Sequence, residues 1–291
     1  MAILAFDFGG SSVKYGLWNG REILNQGKFE TPDNWETMKA KLFEVFEQHS
    51  EGIEGIAFSV PGIVENKERK ILGISAIPYI HQVNFFDDLE TLFKLPISVE
   101  NDANCAGIAE LSKGVAVGKS EVVFVVIGTG IGGAVFHNGQ LYRGAHHYCG
   151  EFGLNYLDGE KTFSEIGTVV NMVQRYCQKK GLRGQALSGE EVFLLAEQGD
   201  VLAQEEVENF YNYLSKGLCS IQFTLDPELI VLGGGVSIKE GLIEEINQRI
   251  MKKMGQSNLD IFMPEIVASK FGNNANLIGA VSNFLMKVNR E

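Results

Sequence analysis

Two glycine-rich turns and one acidic pair are the residues of this chain whose types and spacing could do chemistry. The first turn, Asp7-Phe8-Gly9-Gly10-Ser11, lies near the start, and the second, Gly128-Thr129-Gly130-Ile131-Gly132-Gly133, lies mid-chain. Asn101-Asp102 stands between them. Because glycine has no Cβ, backbone N–H groups in such turns can approach a polyphosphate closely. The layout predicts a phosphate-handling cleft with a carboxylate beside it.

Both glycine turns follow strand-forming residues, so the elements that would position them are strands. Residues 3–8 form a short apolar run before the first turn, and residues 121–127 form the most continuous β-branched run before the second. Strand-forming residues resume at 12–18 and at 134–136. One unit of strand, glycine turn and strand in each half of the chain indicates two related subdomains.

Further strands and helices are predicted along the rest of the chain. Asn19-Gly20 predicts a type I′ hairpin turn before a third strand at residues 22–24. Short apolar runs predict strands at residues 55–60, 95–100 and 229–232. Apolar residues at helical spacing predict helices at residues 34–50, 106–111, 164–180, 190–219, 242–254 and 276–288.

Asn101-Asp102 lies where the strand at residues 95–100 meets a helix. Asn and Asp are the best residues for capping a helix N-terminus, so a purely structural role is one interpretation of the pair. A catalytic carboxylate is the other, and the two roles can coexist.

Asp7 and the glycine run Gly233-Gly234-Gly235 each allow two interpretations. A carboxylate beside phosphate requires a cation, and Mg²⁺ is the usual one, but an Asp at a turn can also simply brace that turn. The glycine run could be a flexible connector. Its place after a buried strand favours a surface on which a flat ring such as adenine lies.

Two segments resemble known sites without matching them. Residues 114–120 have the wrong glycine spacing for a P-loop and precede a strand, so we interpret them as a surface linker. His146-His147 and Cys149 have no second ligand cluster elsewhere, which argues against zinc. Glu151 is more interesting, because a carboxylate can accept two hydrogen bonds from a polyol.

Composition favours a two-domain protein of the cytoplasm. The chain has 291 residues, of which 45% are apolar, enough for two domains. Its net charge of −12 and its dispersed Lys and Arg residues argue against a nucleic-acid partner. The four cysteines form no C-x-x-C pair, and we find neither a signal peptide nor a run long enough to span a membrane.

Taken in order, these motifs resemble the ROK family of sugar kinases and repressors. The set comprises Asp7-x-Gly-Gly-Ser, Val60-Pro61-Gly62, Glu100-Asn101-Asp102-Ala103-Asn104, residues 128–133, Gly150-Glu151-Phe152-Gly153, Leu232-Gly233-Gly234-Gly235 and residues 275–280. The resemblance implies the actin-like, ribonuclease H-like ATPase fold in two α/β domains. We place these at residues 1–110 with 276–291 and at residues 111–275, with ATP and sugar in the cleft between them.

By position, the resemblance assigns roles to individual residues. Asp102 is implied as the general base, with Asn101, Glu151, Gly62 and His81 at the sugar. The implied nucleotide site consists of Asp7, Gly9, Gly10, Ser11, Lys14, Gly128, Thr129, Gly130, Gly132, Gly133, Gly233, Gly234 and Gly235. Asp7 would also hold Mg²⁺ through water, and a homodimer is implied.

The chain departs from the family pattern where many members bind a structural zinc. Leu154 replaces the histidine that follows the Gly-Glu-x-Gly segment, and residues 157–165 contain no cysteine. The chain therefore resembles the zinc-free subgroup and should lack that metal, and the loss of the histidine leaves the sugar pocket more open.

The predicted activity is ATP- and Mg²⁺-dependent phosphorylation of the 6-hydroxyl of a hexose or β-glucoside, as in glucokinases and β-glucoside kinases. An N-acetylmannosamine kinase is an alternative. From another class, a non-catalytic sugar sensor or a repressor is disfavoured, because Asp102 is intact and the first strand begins at Ile3, leaving no room for a DNA-binding domain.

Overall fold

The computed structural model of the protein describes residues 1–182 and 187–288 and shows an α/β fold. The strands are β1 (Ala2–Phe8), β2 (Ser12–Trp18), β3 (Ile23–Glu30), β4 (Ile53–Val60), β5 (Ile63–Glu65), β6 (Lys70–Leu72), β7 (Ile97–Asn101), β8 (Val122–Ile127), β9 (Ile131–His137), β10 (Gln140–Leu141), β11 (Tyr156–Asp158), β12 (Lys161–Thr162), β13 (Leu229–Gly233) and β14 (Ile266–Ala268).

Nine α-helices lie within the described residues. They are α1 (Trp35–His49), α2 (Phe85–Phe93), α3 (Asp102–Lys113), α4 (Phe163–Ile166), α5 (Val169–Lys180), α6 (Gly189–Glu197), α7 (Val201–Leu225), α8 (Leu242–Gly255) and α9 (Ala275–Val288). None of the helices described is both long enough and apolar enough to cross a membrane.

Contacts along the chain group the residues into two units. The first unit comprises Met1–Val117, Arg143–Tyr148 and Asn273–Glu291, and the second comprises Gly118–Tyr142 and Cys149–Gly272. The domain boundary predicted at residues 110 and 111 falls inside α3, which continues to Lys113. Residues 289–291 of the predicted first domain lie outside the described part of the chain.

Each unit contains a five-stranded mixed sheet of the same topology. The strand orders are β3-β2-β1-β4-β7 in the first unit and β10-β9-β8-β13-β14 in the second. In both, the first strand of the unit pairs antiparallel with the next strand in sequence and parallel with its other neighbour. The repeat indicated by the two strand, turn and strand motifs is therefore present in the folded chain.

Parallel pairing brings the predicted site residues of each unit to one sheet edge. Strands β1, β4 and β7 run parallel, so their carboxyl ends lie side by side. These ends carry the first glycine turn, Gly62 and Asn101-Asp102. In the second unit, the parallel strands β8 and β13 bring the second turn and the Gly233-Gly235 run to one edge in the same way.

Strand β1 is apolar from Ala2 to Phe6 because both faces of its sheet are covered. Leu4 and Phe6 pack into a core shared with α1 and α2, whereas Ile3 and Ala5 pack against residues of α3 and α9. The Phe6 and Phe58 rings stack at 5.6 Å between centroids within the first of these cores. Such two-sided burial produces a continuous apolar run rather than alternation.

The predicted type I′ turn at Asn19-Gly20 is wrong. Trp18 pairs with Ile23, so the loop has four residues rather than two. The Asn19 side chain accepts hydrogen bonds from the backbone N–H groups of Arg21 and Glu22, both at 2.9 Å. This local side-chain bonding competes with the two-residue turn.

Two predicted long helices are each interrupted by a glycine and a capping residue. Thr168 caps α5 after Gly167, which divides the helix predicted at residues 164–180. Asp200 caps α7 after Gly199, which divides the helix predicted at residues 190–219. Apolar spacing continued across both breaks and concealed them.

Helices α3 and α9 approach so closely that only glycine fits at residue 279. A Cβ there would lie 1.7 Å from the backbone oxygen of Cys105. We expect Gly279→Ala to lower the free energy of unfolding by about 2 kcal/mol or more, since overpacking a core forces backbone shifts. Urea denaturation would measure the change.

Gly255→Ala is the matched control. This glycine ends α8, and the added Cβ has no atom within 4 Å apart from its chain neighbours and the backbone of its own helix. Its unfolding free energy should equal or slightly exceed that of the wild type, because alanine favours the helix. Equal stability of the two variants would contradict the close approach of α3 and α9.

Candidate active site

The first glycine turn connects β1 to β2 in the first unit. The Gly9 N–H donates to the Ser12 carbonyl at 3.1 Å, and the Thr31 hydroxyl donates to the Gly9 carbonyl at 2.6 Å. A Cβ on Gly10 would lie 2.6 Å from the Cβ of Ala76. Gly10 and Ser11 are exposed, so the tip of the turn is open to a ligand.

Asp7 precedes this turn and is held by residues far away in sequence. Asp7 is only 6% exposed. Its Oδ1 accepts hydrogen bonds from the Ser59 hydroxyl at 2.8 Å and the Asn276 amide at 2.9 Å. Burial raises the pKa of Asp7, and these two hydrogen bonds lower it. The charge of Lys14, the residue of β2 that pairs with Asp7, also lowers it. Asp7 is thus fixed by β4 and α9 as well as by its place before the turn.

The capping role that the sequence left open for Asn101-Asp102 belongs to Asn101. Asn101 is the helix cap, because its Oδ1 accepts a hydrogen bond from the Asn104 N–H at 3.0 Å. Asp102 is the first residue of α3, and its Oδ1 accepts from the Ala103 N–H at 2.8 Å. The partial positive charge of a helix N-terminus favours an ionised carboxylate at this position.

Gly62 and His81 lie next to each other, and Gly62 also contacts Asn101. The Asn101 amide donates to the Gly62 carbonyl at 2.9 Å. A Cβ on Gly62, which has a φ of +99°, would lie 2.8 Å from Cε1 of His81. The His81 ring contacts the Ile71 carbonyl through Nδ1 at 3.1 Å and the Ser75 hydroxyl through Nε2 at 2.7 Å. Because a carbonyl only accepts hydrogen bonds, Nδ1 carries the proton. The two ring nitrogens thus connect His81 to Ile71 and Ser75.

The second glycine turn is shorter than the sequence indicated. Gly132 and Gly133 lie in β9, paired with Val126 and Val125, so the turn itself comprises Gly128, Thr129 and Gly130. A Cβ on Gly133 would lie 2.5 Å from the Phe124 carbonyl. Glycine at residue 133 is therefore explained by packing, and the three residues of the turn are exposed.

Glu151 lies in a glycine-flanked segment that packs on β9 of the same unit. A Cβ on Gly150 would lie 2.6 Å from the Gly133 carbonyl, and one on Gly153 would lie 2.1 Å from the Ile131 carbonyl. Glu151 as a residue is exposed, yet the surrounding protein partly desolvates its carboxylate and raises its pKa. Leu154, which ends this segment, is 60% exposed.

The Gly233-Gly235 run is not a flexible connector. Gly234 has a φ of +90°, and a Cβ there would lie 2.0 Å from the Ile127 carbonyl at the end of β8. A Cβ on Gly233 would contact the Phe124 ring, whereas the space around Gly235 is open. Two of the three glycines thus allow close packing of strands, and the third faces free space.

A cavity of about 750 Å³ in the second unit joins two of the predicted nucleotide motifs, since both Gly128 and Gly235 line it. The volume lies within the usual range for small-molecule sites. Its other lining residues are Ile127, Val169, Val170, Ser188, Gly189, Glu190, Phe193, Leu194, Glu197, Val236, Ile238 and Lys239. The Lys239 ammonium lies 4.7 Å from the centre of the Phe193 ring.

Sequence reasoning did not identify the walls of this cavity or the partners of Asp7. The walls come from α5, α6 and the turn after β13, which no motif connects. Asn276 lies in the motif at residues 275–280, which gave it no role. Ser59 places a hydroxyl group near the end of an apolar strand. A polar residue in a buried strand was the available signal.

The described residues contain no group of three or more His, Cys, Asp or Glu side chains arranged to hold a metal ion. The interpretations of Asp7 as a Mg²⁺ site and of the chain as free of structural zinc stay predictions.

Comparison with known proteins gives consistent matches over nearly the full chain. The model of the ROK family matches residues 3–287. A β-glucoside kinase of Listeria monocytogenes is 32% identical over 299 residues, covering 100% of this chain and 99% of the relative. An N-acetyl-D-glucosamine kinase of Vibrio parahaemolyticus is 28% identical over 298 residues, covering 94% of this chain and 97% of the relative.

Among solved structures, a ROK family protein from Streptococcus pneumoniae in complex with sucrose is similar throughout. Its TM-score is 0.92 at 33% sequence identity, and the match covers 100% of both chains.

The buried charge of Asp7 should reduce stability at neutral pH. Folding raises the pKa of this carboxyl group above its ordinary value of 3.8. The group therefore stabilises the folded protein fully at pH values below 3.8, and this stabilisation is lost as the pH rises through the pKa of the folded state. Asp7→Asn retains the acceptor for Ser59 and Asn276 without the charge. We expect its unfolding free energy at pH 7 to equal or exceed that of the wild type, with the difference shrinking as the pH is lowered towards 3.8.

Asp200→Asn is the control of opposite sign. The hydrogen bond from Lys180 and those from the start of α7 lower the pKa of Asp200 to about 2, so its ionised form stabilises the fold at pH 7. Its substitution should therefore reduce stability in the same denaturation series. A loss at Asp7→Asn as large as that at Asp200→Asn would contradict the dominant role of burial at Asp7.

Proposed function

The chain belongs to the ROK family and is an ATP-dependent sugar kinase, and we propose that it transfers the γ-phosphoryl group of ATP to the 6-hydroxyl of a hexose or β-glucoside. The predicted α/β fold of actin-like ATPase type is confirmed by the full-length likeness to a ROK structure. The observation that carries the acceptor class is the 32% identity over the full chain to a β-glucoside kinase.

Asp102 is the proposed general base. The carboxylate begins α3 at the sheet edge that also carries the first glycine turn, and the helix N-terminus favours its ionised form. As the 6-oxygen forms a bond to the γ-phosphorus, the bond from that phosphorus to the β,γ-bridging oxygen breaks, ADP leaves and the hydroxyl proton passes to Asp102. A well-placed base contributes about 10²–10⁴-fold to the rate.

Asn101, Gly62, His81 and Glu151 are the proposed sugar residues. Asn101 uses Oδ1 and one amide hydrogen within the fold, which leaves the second amide hydrogen as the donor for a ring hydroxyl. Glu151 would accept hydrogen bonds from two hydroxyls. His81 and Gly62 support this site by fixing the loop beside Asn101.

The cavity beside Gly128 and Gly235 is the proposed adenosine site. Its apolar walls suit a flat base. The exposed turn at residues 128–130 offers the backbone N–H groups of Thr129 and Gly130 for phosphate oxygens, while the Gly128 N–H donates to the Gly130 carbonyl at 2.9 Å. The turn at Gly9, Gly10 and Ser11, with Lys14 behind it, is the second proposed phosphate contact.

Mg²⁺ bound with ATP would neutralise charge on the transferring phosphate. Asp7 suits a hydrated Mg²⁺, since both hydrogen bonds that hold it among the described residues end on Oδ1 and a carboxylate has further acceptor positions on its second oxygen. The donor set is a single carboxylate, which fits an ion that retains most of its waters.

We also propose a homodimer in the cytoplasm. The dimer rests on the family resemblance, and sedimentation of the purified protein would test it. The compartment rests on the four cysteines, which are free thiols, as expected in a reducing environment.

A sugar panel with ATP in a coupled assay of ADP release tests the proposed reaction. We expect turnover with glucose or β-glucosides above that with mannose, N-acetylglucosamine and N-acetylmannosamine, and phosphate at the 6-position by NMR. Asp102→Asn should lower kcat by at least about 10²-fold, because the base is lost while the shape is kept. Asp260→Asn, at an exposed residue of the second unit, is the control. Sugar binding without ADP release would favour the sensor alternative.

The adenosine assignment predicts a selective loss of ATP affinity when the cavity wall is charged. Leu194 is 52% exposed and lines the cavity, so Leu194→Asp adds a carboxylate beside Glu190 and Glu197 with little cost in buried packing. We expect the KM for ATP to rise about tenfold or more, equivalent to about 1.4 kcal/mol, with the KM for sugar unchanged.

Val201→Asp is the matched control for this variant. Val201 is 74% exposed at the start of α7 and does not line the cavity. Its KM for ATP should stay within about twofold of the wild type, an energy difference below RT. Equal effects of the two substitutions would contradict the placement of adenosine.

A further inference from the structure

Glu100 is a buried carboxylate that immediately precedes Asn101 and Asp102. It is 1% exposed and lies near the end of β7. Its Oε1 accepts hydrogen bonds from the Asn101 N–H and from the Asn104 side-chain amide, both at 3.0 Å. A single oxygen atom therefore holds a residue on each side of Asp102.

The other oxygen of this carboxylate forms an ion pair with Arg143. Nη2 of Arg143 donates to Oε2 of Glu100, and the Arg143 side chain is 30% exposed. Lys287 lies close enough to be attracted by Glu100, although its ammonium donates to the Asn66 side chain at 3.0 Å. A buried carboxylate without compensation is strongly destabilising, and Arg143 supplies the opposite charge at Glu100.

Arg143 is the first residue of the segment Arg143–Tyr148, which belongs to the first unit. The chain before and after this segment belongs to the second unit. A second tie in the same segment joins Nε2 of His147 to the Glu65 carboxylate at 2.8 Å. Arg143 is thus brought to β7 by a segment with two separate attachments to the unit.

The position of Asp102 depends on the first turn of α3, which Glu100 organises. The Asp102 carboxylate accepts from the N–H of its neighbour Ala103, so the first turn of α3 helps to orient it. Without Arg143, the uncompensated charge on Glu100 would draw water and release Asn101 and Asn104. A displacement of a catalytic group by about 1 Å can cost about 10²-fold in rate.

We propose that Arg143 is a positioning residue that acts through Glu100 to hold Asp102 in the geometry needed for proton transfer. The proposal rests on the proposed role of Asp102 as general base. It differs from a merely stabilising ion pair, because it requires kcat to fall while the KM for ATP and the fold are retained.

The test compares steady-state kinetics and urea denaturation of three variants, with the sugar that the wild type uses best. Arg143→Met should lower kcat by about 10- to 100-fold and leave the KM for ATP within about twofold. Arg143→Lys, which keeps the charge, should retain more activity than Arg143→Met. Glu100→Gln combined with Arg143→Met should recover much of the lost kcat, because no buried charge is then left uncompensated.

Arg175→Met, at another buried ion pair, is the control. Nε of Arg175 donates at 2.6 Å to Glu206, which is also 1% exposed, and the Arg175 side chain is 25% exposed. That pair lies in the second unit and touches none of the proposed site residues. Glu206 also pairs with Lys179 at 2.8 Å, so the loss of Arg175 leaves it one cationic partner. We expect lower stability than in the wild type and a kcat within about twofold of it, a difference below RT.

The outcomes separate this proposal from the proposed function. A wild type without sugar-dependent ADP release would overturn both. An active wild type, with Arg143→Met no slower than Arg175→Met, would overturn only the positioning role. A double variant as slow as Arg143→Met alone would overturn the route through Glu100.

Discussion

The parallel pairing of β1 with β4 and of β4 with β7 decides where the candidate catalytic groups of the first unit lie. Parallel strands end at the same edge, so residues 7, 62 and 102, which are far apart in sequence, are delivered to one side of one sheet. The covering helices α1, α2, α3 and α9 make this pairing stable by burying both faces. The placement of the candidate catalytic groups therefore depends on the hydrogen bonds between these strands more than on any one loop.

Two buried carboxylates are maintained at that edge against the cost of desolvation. Asp7 and Glu100 are each almost inaccessible, and each is held by side chains from distant parts of the chain. A protein selected for stability alone would replace them with apolar residues, since buried ion pairs seldom add net stability. Their presence beside Asn101-Asp102 is understandable if fixed negative charge is part of the function.

Local patterns in the sequence predicted most strands, most helices and the relation between the two halves, because periodicity and glycine chemistry act over a few residues. They could not identify the partners of Asp7, which are 52 and 269 residues away. Gly132 and Gly133 resembled a ligand-binding turn, although strand packing against Phe124 explains Gly133. The cavity at Gly128 and Gly235 has walls from three elements, and only the tertiary fold brings these together.

The first unit is discontinuous, and this has a consequence for synthesis on the ribosome. Helix α9 follows every element of the second unit in the chain, yet it covers β1 and supplies the amide that holds Asp7. The second unit can therefore complete its core while the first still exposes the apolar surface that α9 will cover. Until α9 emerges, the nascent chain has all elements of the second unit but lacks the helix that covers one face of β1.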